Sequence, residues 1–480
     1  MEKPKVRISV RNLVEFILRS GDLDNSRGSS GDKEAMLKGG RLHRKIQRSM
    51  KGNYQAEVSL KRESEYEDVI IQVEGRADGI FTEDGEFWID EIKGTYGNLQ
   101  AMEVPVPVHR AQAMCYGWIY GEKEGLSQIG IQMTYSHLDT EDTRRFREIF
   151  SMEELKKWYQ ELLDAYHKWI AYSLSWKKER NASMKDLQFP FPYREGQREI
   201  VSGVYHTVSS KKTLFVQAPT GVGKTMSAIF PSVRAIGEGK GETLFYLTAK
   251  TITGTVAWEA FHTLRENGLK FKVTAITAKE KLCFLDSPEC TPEKCPYAKG
   301  HFDRVNDAVY ELWTTEEVYS REVIRAHAEK WQVCPFEMCL DLSVWVDGVI
   351  CDYNYAFDPN VHLKRFFGEN ISGDYIFLID EAHNLVERGR EMYSAEISRQ
   401  TLFTLRKKIR KHFPKLARVL EKANRQMLEL EEDLKASQNP YQVLSNPGVL
   451  PITFLTISGE LEEILEEKNL DEELRKEILE

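Results

Sequence analysis

The sequence predicts an α/β protein in which two α/β domains follow one another, with an insert in the second. Up to about residue 178, β-rich runs such as "YEDVIIQVEGRADGIF" and "EFWIDEIKGTY" stand between amphipathic helical segments. From Thr213 onward, apolar runs of strand length alternate with helical segments, which is typical of a parallel sheet. A cysteine-rich stretch interrupts this second pattern, and charged amphipathic helices follow it.

Composition indicates a soluble globular protein. Of the 480 residues, 41% are hydrophobic and 29% are charged, and the length favours about three domains. No apolar run approaches the roughly 20 residues that span a bilayer, and the charged N-terminus lacks the apolar core of a signal peptide. The odd count of seven cysteines, without a secretory signal, predicts a cytoplasmic location, no disulfides and no membrane partner.

Net charge neither supports nor excludes a nucleic-acid partner. The chain carries a formal charge of −9, but residues 460–480 alone hold ten acidic and three basic residues. The rest of the chain is therefore close to neutral, and basic patches on such a body can still bind a polyanion.

The segment "APTGVGKT", Ala218 to Thr225, is a Walker A loop with Ala in place of the first Gly. It follows the apolar run "TLFVQ", which we predict to be a strand, and it opens a helix. Gly221 and Gly223 let backbone N–H groups surround phosphate oxygens at the helix N-terminus. Lys224 neutralises the β and γ phosphates, and the Thr225 hydroxyl ligates Mg²⁺.

The run "FLIDEAH" ends a predicted strand with two adjacent carboxylates. Asp380 can hold Mg²⁺, directly or through water, and Glu381 can orient and deprotonate an attacking water. Such a pair is often a solvated loop, but downstream of a Walker A loop it predicts an ATP- and Mg²⁺-dependent hydrolase.

Six cysteines between the two motifs raise the question of a metal site. Zinc sites usually carry pairs two to four residues apart, and no Cys-x-x-Cys occurs here. A 4Fe–4S cluster needs four thiolates and tolerates varied spacing. Spacing therefore leaves a cluster, zinc and free thiols open. Cys351, inside an apolar strand, is predicted to be a buried thiol. The remaining candidates are Cys283, Cys290, Cys295, Cys334 and Cys339.

The first domain contains a second set of candidate catalytic groups. Asp78 precedes Glu91 and Lys93, and alternation along a strand places Glu91 and Lys93 on one face. Two carboxylates can hold a divalent metal, Mg²⁺ or Mn²⁺, while a lysine orients or activates water at a phosphodiester. Surface charges on strands are common, so this pattern alone is weak. Gln112 and Tyr116 share one face of a later helix.

"APTGVGKT" together with "DEAH" resembles a superfamily 2 helicase, and the cysteine insert resembles the DinG/XPD (Rad3-type) branch. The resemblance implies an ATP-dependent 5′→3′ DNA helicase acting mainly on single-stranded DNA, with 4Fe–4S and arch domains inserted in its first motor domain. Gln197 in "YREGQREI" matches the nucleotide-binding Gln of that family. The implied cluster ligands, taken from "KLC" and "VCPFEMC", are Cys283, Cys290, Cys295 and Cys334, with Cys339 as an alternative fourth.

The order His, Asp, Glu-x-Lys, Gln-x-x-x-Tyr resembles RecB-like nucleases of the PD-(D/E)xK superfamily. The resemblance implies that Asp78, Glu91 and the helical His43 bind metal and that Lys93 assists catalysis. Gln112 and Tyr116 would contact DNA or brace the site. The family's Glu four residues after that His is Gln47 here, so the first motif is imperfect. Cys115 stands alone in this domain, so we expect no cluster there.

The resemblances predict a DNA helicase joined to a metal-dependent nuclease, acting in repair or recombination. The segment after Glu381 resembles arch helices, and a second motor domain with its arginine fingers is not recognised, so ATP hydrolysis by this chain alone should be weak. Alternatives are a DNA-binding Fe–S scaffold and a nuclease without motor activity. Protein partners are not predicted. The expected domains are 1–178 (nuclease), 186–282 with 340–390 (RecA-like motor), 283–339 (Fe–S insert) and 391–480 (partial arch).

Overall fold

A computed structural model describes residues 3–25, 32–50, 52–219, 221–249, 251–286, 289–368, 371–437, 439–465, 474 and 478. The chain divides into two compact units. Unit 1 comprises Met1–Arg27 and Glu34–Met392, and unit 2 comprises Gly28–Lys33 and Tyr393–Glu480. Among the described helices, none is both long and apolar enough to cross a membrane.

The front part of unit 1 is a six-stranded mixed sheet with helices packed against it. Its strands run in the order β1-β3-β4-β5-β6, with β2 paired to β3. The strands are β1 (Lys5–Ser9), β2 (Gln55–Glu65), β3 (Ile70–Glu83), β4 (Glu86–Thr95), β5 (Gln128–His137) and β6 (Thr143–Ser151). The helices are α1 (Val10–Ile17), α2 (Asp32–Ser49), α3 (Pro107–Glu124) and α4 (Met152–Met184), with a 3₁₀ turn at Leu99–Ala101.

Strand β3 changes partner halfway along one edge. Its first half, from Ile70 to Glu74, pairs in parallel with β1, and its second half, from Gly79 to Glu83, pairs antiparallel with β4. Strand β2 covers the other edge of β3. The sheet therefore splits between β1 and β4, and Asp78 lies at the split.

Local sequence signals explain where the long helices of this part begin. Ser151 and Glu154 form a reciprocal capping box at the start of α4, which satisfies two backbone N–H groups that lack helical partners. Helix α3 begins with Pro107, whose missing N–H costs nothing there, and ends at Gly125 in the left-handed conformation. Helix α3 is buried along its middle, between the sheet and α4.

The second part of unit 1 is a parallel sheet in the order β11-β7-β10-β8-β9, enclosed by helices. The strands are β7 (Thr243–Thr248), β8 (Val273–Ala275), β9 (Val318–Tyr319), β10 (Gly348–Asp352) and β11 (Tyr375–Ile379). The helices are α5 (Gln197–Ser209), α6 (Lys224–Gly237), α7 (Thr251–Glu266), α8 (Lys279–Leu282), α9 (His301–Thr315), α10 (Arg321–Trp331), α11 (Pro335–Ser343), α12 (Asn354–Phe357), α13 (Lys364–Phe367) and α14 (Leu385–Met392), with a 3₁₀ turn at Ala382–Asn384.

The prediction of a strand at "TLFVQ" is wrong for this structure. Residues 213–217 are irregular, and Leu214, Phe215 and Val216 are 43%, 87% and 45% exposed. The segment has the β-branched and aromatic composition of a strand, but it pairs with no strand of the second sheet, including its edge strand β11. Propensity without a pairing neighbour did not produce a strand.

Helix α4 joins the two parts of unit 1 through a buried polar network. The Asp347 carboxylate accepts hydrogen bonds from Trp176 Nε1 at 2.8 Å, Arg180 Nη1 at 2.7 Å and the Lys272 backbone N–H at 2.9 Å. The Lys272 ammonium donates to the Trp313 carbonyl at 2.6 Å and to other carbonyl and hydroxyl oxygens. The two parts therefore share a packed and hydrogen-bonded junction.

Unit 2 consists of three described helices, α15 (Arg399–Ile409), α16 (Pro414–Ser437) and α17 (Leu450–Leu465). They pack around a small apolar core that includes Leu402, Ile409, Leu416, Leu420 and Ile457. The periodic apolar residues of each helix supply this core, and the charged residues face outward.

Candidate functional site

The phosphate loop opens helix α6 as the Walker A pattern requires. Gly221 has φ 85° and Gly223, the N-cap of α6, has φ 80°, a left-handed conformation that favours glycine. The Lys224 ammonium bends back to donate to the Ala218 carbonyl at 3.2 Å. The Lys224 ammonium is thus bonded to a backbone carbonyl of its own motif.

Gln197 lies beneath this loop and is 4% exposed. Its Oε1 accepts from the Arg194 backbone N–H at 3.0 Å, and its Nε2 donates to the Val222 carbonyl at 2.9 Å. A Cβ added at Gly223 would lie 2.8 Å from Gln197 Nε2. The Gln197 amide therefore holds the loop backbone, and its contact with an adenine ring stays a prediction.

A tyrosine that the sequence did not single out connects the two nucleotide motifs. The Tyr246 side chain, within β7, lies close to both Thr225 and Asp380. Burial, with the charge of Asp380, raises the pKa of Tyr246 well above its ordinary value. The Walker A hydroxyl and the strand-terminal carboxylate therefore meet at one end of the sheet, where a Mg²⁺ ion would need both.

The residue after Asp380 has an unusual backbone. Glu381 has φ 50°, and its exposed carboxylate lies 3.4 Å from His383 Nδ1. The Tyr353 hydroxyl donates to the carbonyls of Asp380 and Glu381, which fixes this turn. A left-handed conformation is rare for glutamate and is tolerated where neighbouring contacts hold it.

In the front sheet, the structure brings the predicted nuclease residues together at the split of β3. Asp78 Oδ2 accepts from the Ile92 backbone N–H at 2.7 Å, and Asp78 Oδ1 lies 3.6 Å from His43 Nδ1. Lys93 Nζ lies 2.9 Å from Glu91 Oε1, as strand alternation requires. The β3–β4 register, α2 and the sheet split thus gather a histidine, two carboxylates and a lysine.

Helix α3 closes the site from the other side. The Tyr116 hydroxyl lies against Gly75 of β3, where an added Cβ would be 2.7 Å from it. Gln112 is 3% exposed on the same helix face. Gly75 is therefore the position that lets Tyr116 approach β3.

Electrostatics separate this site from an ordinary buried cluster. Burial, and then the charge of Asp78, raise the pKa of Glu91 to about 7, although Lys93 opposes the shift. Burial alone would lower the pKa of His43, but the hydrogen bond and charge of Asp78 raise it. Two buried acceptors, Glu91 Oε2 and Gln112 Oε1, have no hydrogen-bond partner. Unpartnered buried acceptors call for a cation or water.

Two further residues belong to the front site although the sequence analysis gave them no role. Gln47 Nε2 donates to the Asp78 carbonyl at 2.9 Å and to Glu57 Oε1 at 2.8 Å, so it fixes the backbone of Asp78. His109 Nδ1 lies 3.2 Å from the Tyr135 hydroxyl, and burial, followed by Lys93, lowers its pKa to about 4. The spacing of His109 with Gln112 and Tyr116 on one face of α3 could have identified it.

Three of the four predicted cluster ligands approach one another. Cys295 and Cys334 lie in one packed cluster with Leu23. The Lys279 side chain lies near both Cys290 and Cys334. The fourth, Cys283, accepts from the Leu285 N–H at 3.4 Å. An iron–sulfur cluster takes thiolate ligands, so the donor chemistry of these four cysteines fits one.

The other cysteines lie elsewhere. Cys339 is buried in the apolar core of the second sheet, with Thr274 Oγ1 at 3.6 Å. Cys351 is buried in β10, as predicted. Cys115 is buried in α3. Burial raises the pKa of Cys339 to about 11.

Across the described residues, no group of three or more His, Cys, Asp or Glu side chains has the geometry to hold a metal ion. This applies to His43, Asp78 and Glu91 and to the cysteines alike. The donor chemistry at both places fits a metal, and the unpartnered Glu91 oxygen supports an occupant at the front site. The metal-binding roles of all these residues stay predictions.

Residues 264–402 match the DEAD_2 family model. A probable ATP-dependent helicase from Methanocaldococcus jannaschii is 40% identical over 201 residues, 41% of this chain and 29% of that protein. The XPD helicase subunit of general transcription and DNA repair factor IIH from Arabidopsis thaliana is 22% identical, over 46% of this chain and 33% of that protein. A solved XPD helicase has 17% identity and a TM-score of 0.36, covering 60% of this chain and 47% of that one.

These matches make the chain similar to XPD- and RTEL1-type helicases. The chain spans no more than about a third of the length of the curated relatives it matches. The match to the DEAD_2 model begins at residue 264, so it includes no residue of the front sheet.

Proposed function

We propose that this chain carries the ATP-binding part of a DinG/XPD-type DNA helicase, working 5′→3′ on single-stranded DNA in repair or recombination. The observation that carries the proposal is the proximity of Tyr246, in β7, to both Thr225 and Asp380. This arrangement gathers the hydroxyl and the carboxylate that a nucleotide-bound Mg²⁺ requires. Lys224 would leave the Ala218 carbonyl to neutralise the β and γ phosphates, and Glu381 would orient the attacking water.

Steady-state ATPase activity, with and without single-stranded DNA, tests this proposal. We expect weak Mg²⁺-dependent hydrolysis that DNA stimulates and that Lys224→Ala removes. Tyr246→Phe should lower the rate less than Lys224→Ala, because it removes one supporting hydroxyl and no charge. Hydrolysis unaffected by Lys224→Ala would contradict the proposal and leave the chain as a DNA-binding scaffold.

We also propose that the front sheet is a metal-dependent DNA nuclease. Its support is the convergence of His43, Asp78, Glu91 and Lys93 around the unpartnered Glu91 Oε2. The carboxylates would hold Mg²⁺ or Mn²⁺, and the Lys93 ammonium would orient water or neutralise charge at the phosphodiester. Tyr116 and Gln112 would brace the site from α3.

Cleavage of single-stranded and duplex DNA in Mg²⁺ or Mn²⁺ tests the nuclease. Asp78→Asn should abolish cleavage, whereas Lys224→Ala should leave cleavage in the absence of ATP unchanged. If Asp78→Asn cleaves like the wild type, the front sheet is not the catalytic centre. Cleavage that survives Lys224→Ala but never couples to ATP would favour a nuclease without motor activity.

A 4Fe–4S cluster bound by Cys283, Cys290, Cys295 and Cys334 is the third part of the proposal. When bound, the cluster would tie the insert between β8 and β10 to the rest of unit 1. Anaerobic purification, an absorbance spectrum near 400 nm in wavelength, and iron and zinc analysis test it. Cys295→Ser should lose the absorbance and Cys351→Ser should keep it. A colourless protein loaded with zinc would remove the cluster.

A further inference from the structure

One segment of unit 2 concentrates positive charge in an otherwise acidic chain. Between Arg406 and Arg425 the sequence contains nine Lys or Arg residues and a single acidic residue, Glu421, although the whole chain has a net charge of −9. The segment includes the end of α15, the turn that follows it and the first half of α16.

On α16 the basic residues form a stripe. Four of them follow one another at intervals of three, four and three, which places them on one face of a helix. All four are exposed, and the apolar residues between them are buried against α15 and α17. The stripe consists of Lys415, Arg418, Lys422 and Arg425.

Acidic neighbours neutralise only part of this charge. Glu421 is shared by Arg406 at 2.8 Å and Arg425 at 3.9 Å, and Glu460 binds Lys415 at 2.6 Å. Four other exposed basic residues of the segment, Arg410, Lys411, Arg418 and Lys422, form no ion pair within the described part of the chain.

Helix formation does not explain this arrangement. Arg418 and Lys422 are like charges one turn apart, which disfavours the helix. Helix α4, by contrast, carries both acidic and basic residues. Balanced charge therefore occurs on another helix of this protein. An anionic partner would offset the repulsion between Arg418 and Lys422.

We propose that Arg410, Lys411, Arg418 and Lys422, together the basic face, bind the phosphate backbone of a nucleic acid. On α16, Arg418 and Lys422 lie four residues apart, about 6 Å along the helix axis. Successive phosphates along one strand of duplex DNA are about 3.4 Å apart along its axis, so these two cations match phosphates about two nucleotides apart. Arg410 and Lys411, in the turn before α16, add two more exposed cations. The inference rests on the proposed function only for the choice of DNA as the probe.

Equilibrium binding to the full chain tests the basic face. Fluorescence anisotropy would be measured with a labelled oligothymidylate and with a duplex, over a range of KCl concentrations, in EDTA and without ATP. The variant combines Arg410→Gln, Lys411→Gln, Arg418→Gln and Lys422→Gln. We expect the variant to bind at least roughly ten-fold more weakly at low salt. For the single strand, the slope of the logarithm of the binding constant against the logarithm of the KCl concentration should be shallower by about three, because each lost phosphate contact removes about 0.7.

A matched control removes the same number of exposed positive charges from unit 1, by Lys61→Gln, Lys156→Gln, Lys157→Gln and Lys240→Gln. This variant should bind DNA like the wild type, and circular dichroism should show both variants folded. If both variants lose DNA affinity equally, the loss is due to the change in net charge and not to the basic face. This result would overturn the proposal.

Polyglutamate provides the second decisive comparison. If it displaces DNA as well as unlabelled DNA does at equal charge, the partner is an acidic polypeptide and the proposal is overturned. If it competes poorly, the nucleic-acid backbone is supported. Because no ATP is present, failure of the helicase proposal would leave this result unchanged.

Discussion

Two buried polar clusters in unit 1 differ in how their carboxylates are satisfied. At the junction of α4 with the second sheet, Asp347 accepts three hydrogen bonds from Trp176, Arg180 and Lys272. At the split of β3, Glu91 keeps one oxygen without any partner, and its pKa is raised to about 7. A network in which every buried polar group is hydrogen-bonded stabilises the fold. A buried carboxylate oxygen that lacks a partner can instead bind a ligand.

The difference has a cause in the sheet. Asp347 directly precedes β10, beside α4, where three donors from different elements converge. Glu91 lies within β4, whose backbone groups are already engaged with β5, and its neighbour Asp78 is another acceptor. The front site therefore has an excess of acceptors over donors, which a divalent cation would correct.

The largest effect should follow from breaking the satisfied network. Asp347→Ala leaves the buried Arg180 guanidinium, the Trp176 indole N–H and the Lys272 backbone N–H without their acceptor. We expect the free energy of unfolding to fall by about 3–5 kcal/mol, as for other broken buried ion pairs. Urea denaturation measures it. Asp307→Ala, which removes an exposed carboxylate near Lys168, is the control and should cost less than about 1 kcal/mol.

Glu91→Gln should have the opposite profile at the front site. It removes a buried charge that burial already disfavours, so stability without metal should be kept or improved. DNA cleavage in Mn²⁺ should fall by at least about 100-fold, because a metal ligand or base is lost. If Glu91→Gln lowers the free energy of unfolding as much as Asp347→Ala does, Glu91 stabilises the fold. The two clusters would then not differ in function.

Cation binding itself should distinguish the clusters. With Mg²⁺ or Mn²⁺ at ten times its dissociation constant, and without nucleotide, the wild type should gain about 1.4 kcal/mol of stability by mass action. Asp78→Asn should gain much less, whereas Lys224→Ala should respond like the wild type, since its site needs the nucleotide. Thermal unfolding at several metal concentrations measures this. An identical gain in Asp78→Asn would locate the cation elsewhere.

The sequence predicted what depends on local pattern. The Walker A loop and Gly223 follow from spacing, and so do the shared face of Glu91 and Lys93 and the burial of Cys351. The roles of Tyr246 and Asp347 depend on contacts between residues far apart in the chain, which no short motif records. The strand predicted at 213–217 was wrong because a strand requires a pairing neighbour as well as propensity.

The smallest effect should come from Gln47, where the chain departs from the nuclease pattern. Gln47→Glu replaces the donor to the Asp78 carbonyl with an acceptor and adds a negative charge beside Glu57. Without metal, we expect a loss of about 1 kcal/mol of stability. Gln47→Met, which loses the hydrogen bond without adding charge, is the matched control. If added Mn²⁺ stabilises Gln47→Glu more than the wild type, residue 47 lies within reach of the cation. An equal gain would leave Gln47 as a residue that only positions Asp78.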